Sequence, residues 1–450
     1  MRRLSLTGIP ALLAFLAGAA AATAQNPIIP EAKYNSDPQV RTWTLADGTQ
    51  RLYVYGSRDE SSTWYCSHAY DVLSTADMKS WKLTTDSFLS KGEGDQVPYN
   101  DEFLYAPDCF RKDGKYWLFY SQSGGRDVEG VAVSDRPEGP FRDGSAIQGA
   151  NQIDPSVFID DDGQAYLFFG QFAAKCARLN PDMRSIDRST LRDSIITEAE
   201  HHFHEGIQAF KRNGIYYLVY ADISRRGMPT CLGYATSEHV MGPYTYRGVI
   251  VDNFGCDPYV WNNHGSVGEL NGQWYVFYHR STNGTEMLRK SCVEPIRFNP
   301  DGTIDEVPMT TSGAAGYLDP FTQMPGWRAC GLSGHARIVL RRQAGRADCE
   351  ILAQIRNRDS AVWRDFRFDR APERMQLTVI PRKGGKVQVF ANTLCLPLVA
   401  EFDVPAGDGR RPVTLEVPVK TALEGVHPLF FRFSGEAETD LMDLVSFRFR

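Results

Sequence analysis

The chain reads IDPSVFIDDDGQAYLFF over residues 153–169, which is the clearest structural signal in the sequence. An apolar run, the turn Asp162-Gly163 and an aromatic-rich run follow one another. Asp-Gly between two apolar runs is a strong hairpin signal, because both central residues of a type I′ turn need positive φ. We therefore predict a β-hairpin whose first strand begins near Asp154.

Four other stretches repeat this order of a leading acidic residue or histidine, a turn and an aromatic-rich run. Together with Asp154, the leading residues are Asp37, Asp108, Glu205 and His264. The aromatic runs cover residues 52–55, 116–120, 166–169, 216–220 and 274–278. The spacing between successive units equals or somewhat exceeds the about 40 to 50 residues that a four-stranded propeller blade needs. The repetition indicates a radial, nearly all-β arrangement in which the five polar residues converge on one axis.

The pattern changes after the fifth unit, and the change predicts a second domain. Residues 307–324 are rich in Thr, Ser, Gly and Pro, which is typical of a linker. Apolar and polar residues then alternate in short runs at residues 362–368, 387–390, 413–419 and 429–433. Several such runs are typical of an antiparallel β-sandwich. We predict a repeat domain over residues 25–318 and a jelly-roll-like sandwich over residues 325–450.

The first 24 residues have the pattern of a secretory signal peptide. Arg2 and Arg3 precede an apolar stretch over residues 9–22, and the small residues at 22–24 suit a cleavage site. We therefore expect an exported protein, periplasmic or extracellular, that starts near Gln25. No later apolar run reaches the roughly 18 residues of a membrane span. The formal net charge of −6 argues against a nucleic-acid-binding surface.

The nine cysteines are an odd number, so at least one thiol stays unpaired within the chain. Their spacing matches no metal-binding knuckle, and it predicts no particular disulfide.

Four of the leading residues carry carboxylates, and two carboxylates facing a sugar are the minimum for glycoside hydrolysis. One protonates the leaving oxygen, while the other activates water or attacks carbon. Asp37, Asp154 and Glu205 belong to different units and would meet at one end of the axis. Their separation across a funnel would favour the inverting arrangement, with carboxylates roughly 6.5 to 9.5 Å apart. Crowded like charges would also raise at least one pKa, as a general acid requires.

Several of these motifs resemble a known enzyme family. Residues 36–38, 153–163 and 204–206 are similar to the three acidic motifs of glycoside hydrolase family 43. Residues 106–108 and 263–266 extend the resemblance, which covers roughly residues 26–309. It implies a five-bladed β-propeller and inverting enzymes, exo- or endo-acting, mostly on plant-wall arabinose and xylose polymers.

The resemblance also implies roles for individual residues. Asp37 would be the general base, Glu205 the general acid, and Asp154 the residue that tunes and orients the acid. Arg280 would contact the bound sugar. Many family members have Pro after the Glu-Gly of the acid motif, whereas this chain has Ile207.

The remaining leading residues have less direct roles. His264 resembles a histidine that in some members helps to hold a calcium ion, often through water; a hydrogen-bonded histidine that plugs the channel is the alternative. Asp108 would order its blade or the sugar pocket. Trp64, in the insertion after the first aromatic run, would wall the pocket or pack a loop.

The predicted activity is removal of terminal sugars from plant-wall poly- or oligosaccharides such as arabinan or arabinoxylan. The resemblance favours an α-L-arabinofuranosidase, with a β-xylosidase or a galactan- or galactofuranose-directed enzyme as alternatives. A non-catalytic glycan-binding propeller and a structural surface protein are alternatives of other classes. The long insertion over residues 56–95 favours a closed pocket and exo action.

The C-terminal part resembles a family 6 carbohydrate-binding module at residues 359–363 and 425–433. Sugar binding in that family depends on loop aromatics, and residues 407–412 contain no Trp. The sequence leaves two functions open for this part, carbohydrate binding and structural support of the first domain.

Overall fold

The computed structural model describes residues 25–124, 129–342 and 347–450, and the predicted signal peptide lies outside them. Nearly all regular structure in these ranges is strand, so the all-β prediction is confirmed. The helical elements are α1 (Glu198–His201) and the 3-10 turns Arg188–Thr190, Gly313–Ala315 and Gly326–Arg328. No helix within the described ranges is long and apolar enough to cross a membrane.

The first nineteen strands form five antiparallel sheets of consecutive strands. The first sheet holds β1 (Ser36–Thr44), β2 (Gln50–Ser57), β3 (Ala69–Thr75) and β4 (Lys82–Leu89). The second holds β5 (Leu104–Lys112), β6 (Lys115–Gln122), β7 (Glu129–Ser134) and β8 (Arg142–Ala146). The third holds β9 (Ser156–Ile159), β10 (Ala165–Phe169), β11 (Ala173–Arg178) and β12 (Arg192–Thr197). The fourth holds β13 (Phe203–Arg212), β14 (Ile215–Asp222), β15 (Cys231–Ser237) and β16 (Thr245–Asp252). The fifth holds β17 (Ser266–Leu270), β18 (Gln273–Thr282) and β19 (Thr285–Ile296).

Turns join the first two strands of each sheet at the predicted places, but in two forms. Both central residues have positive φ at 113–114, 213–214 and 271–272, as a type I′ turn requires. At Asp162-Gly163 only the glycine does, with φ of 83°. There Gly163 N donates to Asp160 O over 2.9 Å and Asp160 N donates to Gln164 O over 3.0 Å. The type I′ prediction is therefore wrong for this hairpin and for the first one, where Gly48 has positive φ and Asp47 does not. Both have a longer loop that ends on a left-handed glycine.

The first strands of the five sheets lie side by side. β1 contacts β5, β5 contacts β9, β9 contacts β13, β13 contacts β17, and β17 contacts β1. Asp108 of β5 links three sheets: it pairs with Arg41 of β1, whose Nε lies 2.9 Å from Asp108 Oδ1, and accepts from Val157 N of β9 over 2.8 Å. This fully buried carboxylate orders the contacts between neighbouring sheets.

The remaining strands form two further sheets. One has the order β22 (Arg337–Arg341), β23 (Cys349–Ile355), β30 (Met442–Phe449), β25 (Arg374–Pro381) and β28 (Val413–Pro418), with β20 (Met324–Pro325) also paired to β30. The other has the order β21 (Gly331–Ser333), β24 (Ser360–Phe368), β29 (Gly425–Ser434), β26 (Gly385–Ala391) and β27 (Leu398–Val404). Their apolar residues form one buried cluster, in which Trp363 lies 4.7 Å from Phe431 of its own sheet and 5.1 Å from Phe447 of the other, between ring centroids.

Buried polar contacts join these two sheets to the first five. Lys290 Nζ of β19 lies 2.6 Å from Glu350 Oε2 of β23, and both side chains are fully buried. Asn283 N, in the turn between β18 and β19, donates to Ile338 O over 2.6 Å. The C-terminal sheets therefore contact β19 and the turn that joins it to β18. β19 also lines part of the candidate site.

The segment before β1 is fixed from both sides. Asn26 is fully buried, and its Nδ2 donates to Val293 O and Thr310 O over 2.9 and 3.1 Å. Arg328 Nη1 donates to the carbonyl oxygens of Gln25 and Asn26 over 2.9 and 3.0 Å. The start of the described chain is thus bound to residues that lie about 300 positions later in the sequence.

Candidate active site

Four of the five leading residues line one cavity of about 200 Å³, namely Asp37, Asp154, Glu205 and His264. The fifth, Asp108, lies in the contacts between sheets described above. A larger groove of about 460 Å³, lined by Glu238, His239 and Asp301 among others, contains none of the leading residues. The smaller cavity is therefore the candidate site.

Local irregularities of the strands aim the carboxylates into this cavity. The pairing of β1 with β2 shifts register between Ser36 and Gln39, and the pairing of β13 with β14 shifts on both sides of Glu205. Asp37 and Asp154 have positive φ, 52° and 58°, which is uncommon outside glycine. β-bulges and left-handed residues of this kind redirect side chains and are frequent beside active sites.

Asp37 is held as an anion. Its Oδ1 lies 2.7 Å from Arg289 Nη1, and its Oδ2 accepts from Ser57 Oγ over 2.9 Å. Burial raises the pKa of Asp37, but Arg289, with the smaller contributions of His264 and His279, outweighs it and lowers the pKa to about 2. Asp37 is therefore ionised at every pH above that value.

Arg289 on β19 is the arginine of this site. Its Nε and Nη2 lie 3.0 and 2.9 Å from the two oxygens of Asp59, so one guanidinium bridges Asp37 and Asp59. Arg280, to which the resemblance gave the sugar contact, is buried elsewhere and is not among the residues lining the cavity. Its Nη2 donates to Tyr278 Oη and to Thr310 O over 2.6 Å each.

Glu205, in contrast to Asp37, tends to keep its proton. It is only partly buried, and its Oε2 accepts from Gln171 Nε2 over 2.8 Å. Burial raises the pKa of Glu205 above its usual value, and the negative charge of Asp37 adds to this, while His204 and Gln171 oppose it. Glu205 therefore keeps its proton at a pH where Asp37 has lost its own.

Asp154 and His264 line the same cavity as these two carboxylates. His264 Nδ1 lies 3.9 Å from both Asp37 Oδ1 and Asp154 Oδ2, so those oxygens cannot be farther apart than twice that distance. Burial, and then the charges of Glu205 and Asp37, raise the pKa of Asp154 well above its usual value. Burial lowers the pKa of His264, which favours a neutral imidazole.

Gly206, directly after Glu205, is required by this arrangement. Its φ is 69°, and a Cβ placed there would lie 2.9 Å from Cγ and Nδ1 of the His264 ring. The close approach of His264 to the backbone therefore excludes every larger residue at this position.

No group of three or more His, Cys, Asp or Glu side chains placed to hold a metal occurs within the described ranges. Calcium prefers six to eight oxygen ligands. A calcium ion on His264 would therefore take most of its ligands from water.

The insertion after β2 supplies one wall of the cavity, although through Tyr65 and Cys66 rather than Trp64. The Tyr65 ring lies over Arg289, whose Cζ is 4.8 Å from its centroid. Trp64 is exposed and stacks on Phe103, with ring centroids 6.4 Å apart. Neither Tyr65 nor Arg289 lies in a sequence motif, so neither could be predicted as a site residue from the sequence.

The arrangement combines an ionised carboxylate with a protonated one across a small cavity. The ionised group can take a proton from water, and the protonated one can give a proton to a leaving oxygen. At about 200 Å³ the cavity is smaller than the about 300 to 1,000 Å³ usual for drug-sized ligands, which suits a single sugar-sized unit.

The chain is similar to several known proteins. The model of the family described as glycosyl hydrolases family 43 matches residues 24–304. A xylosidase/arabinosidase of Thermoclostridium stercorarium is 30% identical over 356 residues, 68% of this chain and 72% of that protein. An arabinoxylan arabinofuranohydrolase of Bacillus subtilis strain 168 is 26% identical over 97% of each chain. The crystal structure of an arabinoxylan arabinofuranohydrolase from Bacillus subtilis, in complex with cellotetraose, matches 95% of this chain and 99% of that one, with a TM-score of 0.55 and 25% identity.

Proposed function

Because this chain belongs to glycosyl hydrolases family 43, we propose that it removes terminal α-L-arabinofuranose from arabinoxylan, arabinan or related oligosaccharides with inversion at the anomeric carbon. The observation that carries the proposal is that Asp37, whose carboxylate pairs with Arg289, and Glu205, whose pKa burial raises, line one small cavity. The names of its relatives support arabinose or xylose as the sugar. A β-xylosidase is therefore the second candidate.

We propose one displacement step. Asp37 takes a proton from a water molecule as the water oxygen forms its bond to the anomeric carbon. Glu205 gives its proton to the glycosidic oxygen as the bond to that oxygen breaks. Asp154, beside His264, is the residue that orients the acid. Arg289 keeps Asp37 ionised and in place, which makes it a positioning residue.

Release of nitrophenol from nitrophenyl arabinofuranoside, xyloside and galactoside tests the activity and ranks the candidate sugars. We expect the arabinofuranoside to be cleaved fastest. NMR of the first anomer released tests inversion separately. A protein that cleaves none of these substrates would instead fit a non-catalytic glycan-binding propeller.

The pH dependence follows from the two carboxylates. Activity rises as pH increases through the pKa of Asp37, about 2, and falls as pH increases through the raised pKa of Glu205. We expect kcat/KM to be bell-shaped, with its maximum on the acid side of neutrality. Glu205→Gln removes the falling limb, and this is measurable with a dinitrophenyl glycoside, whose leaving group needs little protonation. A falling limb that persists in this variant would exclude Glu205 as the acid.

We further propose that the five sheets are the blades of a β-propeller over residues 25–318, and that the last two sheets form a jelly-roll-like β-sandwich over residues 325–450. The successive contacts of the five first strands, ending with β17 on β1, support the propeller. The common apolar cluster of the last two sheets supports the sandwich. The proposed export rests on the predicted signal peptide of residues 1–24.

We also propose that a calcium ion, where present, is held at the axis by His264 through water, and that it supplies charge and order there rather than a step of the reaction. Removal of metal with a chelator should then lower the melting temperature, and added calcium should restore it. An unchanged melting temperature would leave His264 as a hydrogen-bonded residue that plugs the channel.

A further inference from the structure

Two exposed aromatic rings lie at the side of the cavity where Glu205 stands. Trp261 lines the cavity and is 39% exposed. Phe172 is 54% exposed and directly follows Gln171, whose amide holds Glu205. Large apolar side chains exposed next to one another usually mark a surface that binds a ligand or another molecule.

Both rings are fixed by one histidine. The ring of His204 meets Trp261 at 80° and Phe172 at 83°, with centroids 5.9 and 5.2 Å away. His204 Nδ1 lies 2.8 Å from Glu198 Oε1, and Phe172 N donates to His204 O over 2.7 Å. The pair is therefore a preorganised surface and not two freely rotating side chains.

The backbone of Phe172 adds an independent observation. Its φ is 66°, a left-handed conformation that is an outlier for a bulky residue. Residues in such conformations are frequent at ligand-binding sites. Here the effect of this conformation is to hold a phenyl ring that is 54% exposed beside the ring of His204.

The position of the acid indicates which part of the substrate would contact these rings. Glu205 gives its proton to the leaving oxygen, so the leaving part of the substrate lies on the side of Glu205, beyond the cavity. The flat CH faces of a pyranose pack well on aromatic rings, which bury large apolar areas with a specific geometry. A β-linked xylose chain offers such a face at every residue and has no hydroxymethyl groups to obstruct it.

We propose that Trp261 and Phe172 form a stacking platform for the pyranose chain that carries the terminal sugar, so that the preferred substrates are branched or terminal residues on a xylan-type backbone of at least two sugars. This proposal rests on the proposed function, since it takes Glu205 as the acid. It assigns Phe172 and the exposed part of Trp261 to the leaving part of the substrate, whereas the cavity, of which Trp261 is also a lining residue, takes the terminal sugar.

The test compares a long and a minimal leaving group in Phe172→Ala, Trp261→Ala and the double variant. The long substrate is an arabinoxylo-oligosaccharide, and the minimal one is the methyl glycoside of the same terminal sugar. We expect kcat/KM on the oligosaccharide to fall about five- to tenfold for each ring, mainly through KM. On the methyl glycoside, kcat/KM of Phe172→Ala should change less than about twofold, because Phe172 does not line the cavity and a single methyl group does not reach its ring.

Tyr317→Ala is the matched control, since Tyr317 is also 54% exposed but does not line the cavity. It should leave both substrates unaffected. Equal losses on both substrates, or no loss on the oligosaccharide, would overturn the platform while the wild-type activity on the methyl glycoside upholds the proposed function. A wild-type protein that cleaves neither substrate would overturn both proposals together. Melting temperatures of the variants, expected to match wild type or exceed it, separate loss of binding from loss of fold.

Discussion

Asp37→Asn is expected to lower kcat by about 10²- to 10⁴-fold with a small change in KM, because an amide cannot take the proton of the attacking water. The substitution keeps the size of the side chain and its contact with Ser57 Oγ, 2.9 Å from Oδ2. It leaves Arg289 with Asp59 as its remaining anionic partner, so the guanidinium stays in place. The measurement is kcat and KM on the best nitrophenyl glycoside at the optimum pH of wild type.

Asp47→Asn serves as the control for this variant. Asp47 lies in the exposed turn between β1 and β2, on the same sheet as Asp37 and far from the cavity lining. It should have the wild-type rate. If Asp37→Asn kept its kcat within about threefold of wild type, Asp37 would not be the general base.

The second large effect concerns the buried ion pair between Lys290 and Glu350. Glu350→Ala leaves the ammonium group of Lys290 buried without its anion, which should lower the free energy of unfolding by about 3–5 kcal/mol. Lys290 follows Arg289 directly, so we also expect a lower kcat through a displaced Arg289. Urea denaturation gives the free energy, and the assay described above gives the rate.

Two further variants make this test specific. Glu401→Ala removes a carboxylate from an exposed pair with Lys386, 3.3 Å apart, and should cost less than about 1 kcal/mol. Lys290→Met combined with Glu350→Leu removes both charges and should recover most of the lost stability, because well-packed apolar residues can replace a buried ion pair. A single Glu350→Ala change that costs no more than the Glu401→Ala control would show that the pair does not join the two parts of the protein.

The hairpins and the three carboxylates could be predicted because their signals are local. Asn213-Gly214 marks its turn by backbone preference alone, and Asp37, Asp154 and Glu205 stand at the same place in the first, third and fourth units. Repetition in sequence becomes proximity in space when each unit is one sheet. The same regularity placed His264 beside the acids.

The arginine of the site could not be found in this way. Arg280 and Arg289 lie on adjacent strands, where Arg280 is opposite Lys290 and Ser281 is opposite Arg289. Which guanidinium faces the cavity depends on this register and on the position of Asp59, which lies in an insertion without a motif. The role of Phe172 likewise could not be predicted, because a lone aromatic residue in a loop carries no signal of positive φ.

The anchoring of the first described residues has a consequence for the order of events in folding. Asn26 finds its partners at residues 293 and 310, and the carbonyl groups of Gln25 and Asn26 receive theirs from Arg328. Contacts between such distant positions close large loops, and chains that depend on them fold slowly. During synthesis, Gln25 and Asn26 would lack these partners until more than two thirds of the chain had been made. Arg289 reaches Asp37 at the same late stage, so the protein should gain its catalytic competence among the last events of folding.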